Sequence, residues 1–344
     1  MISSESKKGK KLHIEFLRFF CIWLVMFTHT STAGFSLYLL RPESFFFPFY
    51  IAVPFWVKTA VPIFFMISGA LLLKKEETIS VIFKKRIWRF AQIIFIFSLI
   101  NYLYFYHGLN LSFFGHLSNF FTLMYSSNMA TAYYFLYIYI GFLLMLPLWR
   151  ILVRHMTNQL FLYLIALNIN WFINPILAVS EPSFYFILGY WIENVLPIHW
   201  LTKRNLLYLG MAAIAGTMIA SIMTCYHGVV AGGLTEAISE RFYDSFLFLN
   251  TAFIFCASRL WFITHNISER WQKILLFLGS MSFGVMLFEE ITRNITRFFF
   301  NRILLTYIPR FPFFDAVIWI CSAFILGLLL TYLVKKIPYF AHLI

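Results

Sequence analysis

Apolar and polar positions follow one another along this chain in long blocks, not at the short periods of a soluble helix or strand. Ten apolar blocks recur between residues 14 and 334, and most approach the roughly 20 residues that a helix needs to cross a bilayer. The pattern predicts an all-α fold, a polytopic membrane helix bundle of about ten transmembrane helices. The predicted spans are approximately 14–36, 54–73, 88–106, 132–149, 159–176, 182–199, 205–225, 245–263, 274–288 and 313–334.

The composition agrees with a membrane protein. Hydrophobic residues make up 61% of the 344 residues and charged residues only 12%, with a mean hydropathy of +0.78. A soluble domain carries about twice that charged fraction. We therefore expect one integral-membrane domain over residues 1–344, with a polar cytoplasmic tail at 1–12 and no fused soluble domain.

The formal net charge of +13 could indicate a nucleic-acid partner. The basic residues, however, lie between the apolar blocks, where Lys and Arg set the orientation of membrane spans. If the lysine-rich tail is cytoplasmic, the even-numbered loops and both termini carry most of the positive charge. This distribution predicts a multi-pass protein of the plasma membrane, the inner membrane in a bacterium, with both termini cytoplasmic. Its partner is then the lipid bilayer and not nucleic acid.

The first apolar block contains two ionisable residues at a helical repeat. Arg18 and His29 are eleven residues apart, so in an α-helix they share one face at about 16 Å along the axis. Ionisable groups inside a span are costly and are functional candidates by default. Two plainer interpretations stay open: a backbone or side-chain partner satisfies His29, and Glu15, one turn earlier, pairs with Arg18.

A second charged group interrupts the expected excess of cytoplasmic charge. The predicted outer segment 289–310 contains four arginines, and Glu289, Arg293 and Arg297 are spaced so that they share one helix face. One interpretation is a local ladder of ion pairs with no further role. The other is an extracytoplasmic lining that binds a polar or anionic acceptor.

Three segments, in order, resemble the acyltransferase 3 family of integral-membrane O-acyltransferases. The first is Glu15-Phe-Leu-Arg18, ten residues and then His29, which is similar to the family's first-span signature. Pro62-Ile-Phe-Phe-Met-Ile-Ser68-Gly69 resembles its second span. Arg86-Ile-Trp-Arg89 resembles its Arg-x-x-Arg motif before the third span. One departure concerns a late span, where Glu289 occupies the place of a family histidine.

The resemblance implies transfer of an acyl group, often acetyl, from cytoplasmic acyl-CoA to a hydroxyl of an extracytoplasmic glycan or lipid-linked sugar. Acetyl-CoA is then the donor co-substrate, and a surface polysaccharide such as O-antigen is the expected acceptor. No metal site and no bound cofactor are expected. By this resemblance His29 is the general base, because neutral imidazole suits that role at physiological pH.

Roles for the other charged residues combine this resemblance with the loop-charge pattern. Arg18 and Glu15 complete the catalytic group, with the donor diphosphate as a second possible partner for Arg18. Arg86, Arg89 and Lys85 are either a clamp for the donor phosphates or anchors that set topology. Glu289, Arg293 and Arg297 are the candidates for substrate binding on the acceptor side.

Two other function classes in the same surface-glycan pathway stay open from the residues alone. A polytopic glycosyltransferase that uses a polyprenyl-phosphate sugar would usually have acidic residues in a large first outer loop, and Glu43 is the one carboxylate at 37–53. A polysaccharide transporter or flippase would show paired inverted repeats or helices broken at matching positions. Neither feature is evident in the sequence.

Overall fold

The computed structural model describes residues 11–169, 181–243, 246–303 and 311–344. The predicted lysines of the tail at 1–10, residues 170–176 of the predicted fifth span, and Arg310 lie outside this part of the chain. The described residues form helices joined by loops and turns, without a β-strand. The prediction of an all-α fold is confirmed.

The chain is a succession of helices of very unequal length. Two π-helical segments, Ile82–Ile87 and Trp191–Val195, interrupt the α-helical pattern. The α-helices are α1 (Leu12–Thr28), α2 (Phe47–Val57), α3 (Ala60–Leu72), α4 (Ile79–Val81), α5 (Trp88–Tyr106), α6 (Phe113–Tyr125), α7 (Tyr134–His155), α8 (Asn158–Ile169), α9 (Glu181–Tyr190), α10 (Lys203–Val230), α11 (Glu236–Tyr243), α12 (Leu247–Thr264), α13 (Glu269–Ile303), α14 (Pro312–Lys335) and α15 (Pro338–Leu343).

Seven helical stretches within the described residues are long and apolar enough to cross a membrane. Three further predicted spans correspond to α1, which has 17 residues, and to α8 and α9, which border the undescribed residues 170–180. The protein is therefore a multi-pass integral membrane protein. The seven stretches are Phe47–Leu72, Ile79–Tyr106, Thr131–His155, Lys203–Val230, Leu247–Thr264, Glu269–Phe299 and Pro312–Lys335.

The first helix ends at Thr28, so the predicted boundary at residue 36 is wrong. The Thr30 hydroxyl donates to the Phe27 carbonyl at 2.7 Å and accepts the Phe35 N–H at 2.9 Å. Ser31 then adopts a left-handed backbone with φ of 49°. These local hydrogen bonds offer the backbone an alternative to the helix, and hydropathy alone does not register them.

The ninth predicted span, 274–288, is also too short, because α13 continues to Ile303. Several of its polar residues form hydrogen bonds within the helix itself. Thr292 donates its hydroxyl to the Glu289 carbonyl at 3.0 Å, and Thr296 donates to the Thr292 carbonyl at 2.7 Å. Arg293 contacts the Glu289 carboxylate one turn earlier. Polar side chains paired in this way do not end a helix.

Packing divides the chain into two compact units. Unit 1 comprises the described residues within 1–74, 153–280 and 309–320. Its closest helix pair is α3 with α9, where glycines permit backbone contact. A Cβ on Gly69 would lie 1.7 Å from the Phe186 carbonyl oxygen, and one on Gly189 would lie 2.1 Å from the Met66 carbonyl oxygen. Larger residues at either glycine would force these helices apart.

Unit 2 comprises the described residues within 75–152, 281–308 and 321–344. A buried hydrogen-bond chain links three of its helices. Asn101 of α5 donates to the Tyr133 hydroxyl at 2.7 Å, just before α7 begins. Tyr133 in turn donates to the Leu287 carbonyl of α13 at 2.9 Å. These bonds satisfy polar groups that would be expensive to bury alone.

Candidate functional site

His29 is the residue at which α1 ends. Its backbone N–H donates to the Val25 carbonyl at 3.3 Å, and its side chain is half-buried. The helix face that Arg18 and His29 share also carries Ile22 and Val25, which are 0% and 7% exposed, so this face is directed into the interior of unit 1. His29 thus occupies a helix terminus next to a turn, and functional residues often lie in such connecting segments.

The loop after His29 folds back into unit 1 and is held by α11. The Tyr38 hydroxyl contacts those of Ser239 and Tyr243, and Ser36 donates to the Glu236 carboxylate at 3.0 Å. Burial raises the pKa of the Tyr38 phenol, which therefore stays neutral. The predicted spans 205–225 and 245–263 left the residues between them as a loop, and α11 was not predicted. The contacts fix the chain segment that leads out of His29.

Arg18 and Glu15 form the ion pair that the sequence allowed. Arg18 Nη1 donates to Glu15 Oε1 at 2.9 Å. The Glu15 side chain is 4% exposed and that of Arg18 is 33% exposed. Glu15 Oε2 is buried and has no hydrogen-bond partner within the described residues. It lies against Gly279, where an added Cβ would come within 2.3 Å of that oxygen.

A second ionic cluster in unit 1 escaped the sequence analysis. Glu193, which is 6% exposed, accepts hydrogen bonds from Lys11 at 2.5 Å and from His13 at 3.0 Å. Arg259 of α12 lies 3.5 Å from the same carboxylate. The cluster anchors the start of α1 and so positions Arg18 two turns further along. The sequence feature that could have predicted this cluster is Glu193, a single carboxylate inside the apolar block 182–199.

In unit 2, Arg86 binds Glu77 through both arms of its guanidinium. Nε donates to Oε2 at 3.0 Å, and Nη2 donates to Oε1 at 2.5 Å. Arg150 Nη2 reaches the same carboxylate at 3.1 Å. The hydrogen bonds from Arg86, reinforced by Arg150, lower the pKa of Glu77 to about 2. Neither Glu77 nor Arg150 was predicted from the sequence to belong to this cluster.

Arg89 and Lys85 have different surroundings from Arg86. Arg89 Nε donates to the Leu343 carbonyl of α15 at 2.9 Å. Lys85 is exposed. Arg86 lies in the π-helical segment Ile82–Ile87 and Arg89 in α5, and the two side chains hydrogen-bond to different parts of unit 2. Within the described part of unit 2 the two arginines share no hydrogen-bond partner.

On α13 the structure brings Glu289 and Arg293 together. Arg293 Nε donates to Glu289 Oε1 at 2.8 Å, and Glu289 is 1% exposed. The pair has the same order as Glu15 and Arg18, with a buried carboxylate preceding its arginine by one turn. Arg297 is exposed one turn further along α13.

Comparison with known proteins gives one match. No curated protein and no solved structure matches the chain. The family model described as Acyltransferase domain matches residues 12–336, a range that contains every candidate residue described above except Lys11 and Leu343. Since that range is nearly all of the 344 residues, this chain belongs to the acyltransferase 3 family and is a membrane O-acyltransferase.

Proposed function

We propose that this O-acyltransferase moves an acetyl group from cytoplasmic acetyl-CoA to a sugar hydroxyl of an extracytoplasmic surface polysaccharide such as O-antigen. His29 is the general base. The protein lies in the bacterial inner membrane with both termini cytoplasmic. The observation that carries the proposal is a half-buried histidine at the end of the same short helix that bears Arg18, in a chain of this acyltransferase family.

The surroundings of His29 support its role as a base. It ends α1, where the negative end of the helix dipole stabilises a positive charge. The imidazole takes the proton of the sugar hydroxyl, and the oxygen attacks the thioester carbonyl. A C–O bond forms, the C–S bond breaks, and the proton passes to the departing thiolate of coenzyme A. Thr30 and the loop held by α11 keep the helix end in place.

Arg18 is the proposed contact for the donor, about 16 Å from His29 along the axis of α1. One Nη nitrogen is engaged by Glu15, while the side chain remains one-third exposed. A guanidinium in this state can bind a phosphate group of the donor. Glu15 holds the guanidinium in one orientation from its buried position against Gly279.

Lys85, Arg86 and Arg89 are the proposed basic surface for the donor phosphates. Arg86 commits Nε and Nη2 to Glu77, and within the described residues its Nη1 makes no hydrogen bond. Lys85 is exposed beside it. Glu289, Arg293 and Arg297 are assigned to the acceptor side. This assignment follows from the opposite placement of the two groups along the loop-charge pattern.

The test is transfer of labelled acetyl from acetyl-CoA to surface polysaccharide by membranes that contain the protein. His29→Ala should reduce transfer by about a hundred-fold or more, since loss of a general base typically costs 10² to 10⁴. The variant must insert and accumulate like the wild type. Retention of more than about a tenth of the activity would exclude an essential base at His29.

The chain offers a matched control. His265 follows Thr264 at the end of α12, as His29 follows Thr28 at the end of α1. His265→Ala removes an exposed helix-terminal histidine and should leave transfer within about two-fold of the wild type. An equal loss in both variants would indicate damage to helix termini and not the loss of a base.

A further inference from the structure

A cavity of about 500 Å³ is a candidate binding site. It lies at the opposite end of α5 from Lys85, Arg86 and Arg89. Its size falls in the range of small-molecule sites. Trp88 and Tyr106, the first and last residues of α5, are about 27 Å apart at 1.5 Å per residue. The cavity therefore opens a helix length away from Arg86. All of its lining belongs to unit 2, and the lining includes Phe105, Tyr106, Ser127, Asn128, Tyr134 and Glu290.

Glu290 supplies the charged group of this cavity. Its Oε2 accepts the Thr131 N–H at 2.7 Å, which fixes the carboxylate beside the start of α7. Its Oε1 has no hydrogen bond from the described residues. A carboxylate held by one oxygen can accept a hydrogen bond from a ligand hydroxyl with the other. The same charge disfavours a uronate or phosphate at this position.

Ser127 is the strained residue of the cavity. It follows the last turn of α6 with φ of 56°, the left-handed conformation that a helix end usually assigns to glycine. Its N–H donates to the Met124 carbonyl at 3.2 Å, and the Asn128 N–H donates to the Leu123 carbonyl at 3.0 Å. A serine is thus kept where glycine would be unstrained. Strain of this kind, beside a cavity, accompanies binding sites.

Aromatic rings supply the apolar part of the lining. Tyr134 is 40% exposed although it begins a membrane helix. Phe105 and Tyr106 end α5 on the same cavity. A pyranose presents C–H groups on its faces and hydroxyls around its edge, so it needs both ring faces and polar acceptors. Phosphate or a lipid chain would each satisfy only one part of this lining.

We propose that this cavity binds a neutral sugar residue of the acceptor glycan, with Glu290 and Ser127 contacting its hydroxyls and the aromatic rings its C–H faces. The identity of the glycan as acceptor rests on the proposed function. The site differs from the Glu289–Arg293 pair, because Glu290 is the neighbouring residue on α13 and bonds to Thr131 instead of to an arginine.

The experiment measures binding without any acyl donor. The full chain, purified in detergent, is titrated by calorimetry with lipid-free oligosaccharides released by mild acid from the surface polysaccharide of the producing cells. Glu290→Gln keeps the shape and removes the charge, and Kd should rise about ten-fold or more. Ser127→Gly relieves the backbone and removes the hydroxyl, and Kd should rise about three- to ten-fold. A purely structural Ser127 predicts unchanged or tighter binding in that variant.

Two matched changes serve as controls. Glu269→Gln alters an exposed glutamate at the start of the same helix, and Ser126→Ala removes the neighbouring hydroxyl, which donates to the Leu123 carbonyl. Both should leave Kd within about two-fold of the wild type. Should Glu290→Gln fail to fold, Ser127→Gly alone decides, because glycine suits its backbone.

The outcomes separate this site from the transfer reaction. If Glu290→Gln and Ser127→Gly both weaken oligosaccharide binding, the result supports the site. If no acetyl transfer is then detected, the proposed function is refuted while the binding site is not. Active transfer with an unchanged acceptor KM and Kd in both variants overturns the site and leaves the function standing. Absence of oligosaccharide binding to the wild-type protein also overturns the site.

Discussion

Two arginine–carboxylate contacts, one in each unit, use the same chemistry in different settings. In unit 1, Arg18 and Glu15 lie one turn apart on α1, and the carboxylate is almost wholly buried. In unit 2, Glu77 binds Arg86 nine residues later and Arg150 from a different helix. Glu77 is satisfied on both oxygens, whereas Glu15 Oε2 is buried without a hydrogen bond in the described structure.

This difference indicates that the Glu15–Arg18 pair is a functional group, whereas the Glu77–Arg86–Arg150 cluster has a structural role. A buried carboxylate with an unsatisfied oxygen is costly, and such cost is tolerated where it serves function. Glu77, with three hydrogen bonds to two arginines, ties the segment before α5 to α7 and leaves little to a ligand. Arg18 therefore stands closer to the proposed chemistry than Arg86 does. Substitutions at these residues test whether Arg18 contributes more to transfer than Arg86 does.

Among the substitutions at these ion pairs, Arg18→Gln is expected to have the largest effect. A charge-assisted contact contributes about 1.5–3 kcal/mol, so kcat/KM for acetyl-CoA should fall about ten- to hundred-fold. The measurement is labelled acetyl transfer in proteoliposomes at varied acetyl-CoA. Loss of the charge also leaves Glu15 buried without its partner, which will destabilise the protein.

The double variant Glu15→Gln with Arg18→Gln separates these two causes. Neutralising Glu15 removes the unpaired buried charge, so stability should recover towards that of the wild type. Transfer should stay low, because the guanidinium is still missing. Recovery of transfer in the double variant would mean that Arg18 serves only to neutralise Glu15.

Arg86→Gln with Arg89→Gln is expected to raise the acetyl-CoA KM about ten-fold while the acceptor KM changes little. Arg293→Gln with Arg297→Gln provides the matched change on the other charged helix. It should alter the acceptor KM and leave the acetyl-CoA KM nearly unchanged. A reporter fused at residue 110 must give the same orientation in each variant, because inner positive charges set topology. The reverse pattern would refute the assignment of the two sides.

Glu77→Gln should lower stability more than activity. Its hydrogen bonds to Arg86 and Arg150 are charged but partly exposed, so the loss is about 1–2 kcal/mol in the free energy of unfolding. Transfer at saturating acetyl-CoA should stay within about two-fold. Thermal unfolding in detergent measures the first quantity and labelled transfer the second. A large loss of transfer with normal unfolding would make Glu77 part of the active site.

The smallest expected effect is the pH dependence of the stability that Glu77 contributes. The pKa of Glu77 is lowered from 4.5 to about 2 by Arg86 and Arg150. A depressed carboxyl pKa contributes stability above its unfolded value and loses it as the pH falls towards the folded value. The stability difference between wild type and Glu77→Gln should therefore be full at pH 6 and shrink below pH 4.5. A difference that does not vary over this range would contradict the lowered pKa.

Several helix boundaries could be predicted from hydropathy, because a segment in lipid must hydrogen-bond its own backbone groups and therefore forms a helix. The third predicted span, 88–106, coincides with α5, and the tenth, 313–334, differs from α14 by one residue at each end. Apolar blocks bounded by charge leave the backbone few alternatives to a helix. The early stop of α1 and the extension of α13 depended instead on Thr30 and on the Glu289–Arg293 pair.

The sequence by itself determined the membrane class, the helical fold, the family and the local ion pairs, since these depend on composition and on spacing within one helix. It named Arg18 and His29 for the same reason. Only the tertiary structure revealed the ionic clusters at Glu193 and Glu77, the contact of Gly279 with Glu15, and the cavity at Glu290. Each of these joins residues from different parts of the chain, because a buried charge must find its partners in space, wherever along the sequence they lie.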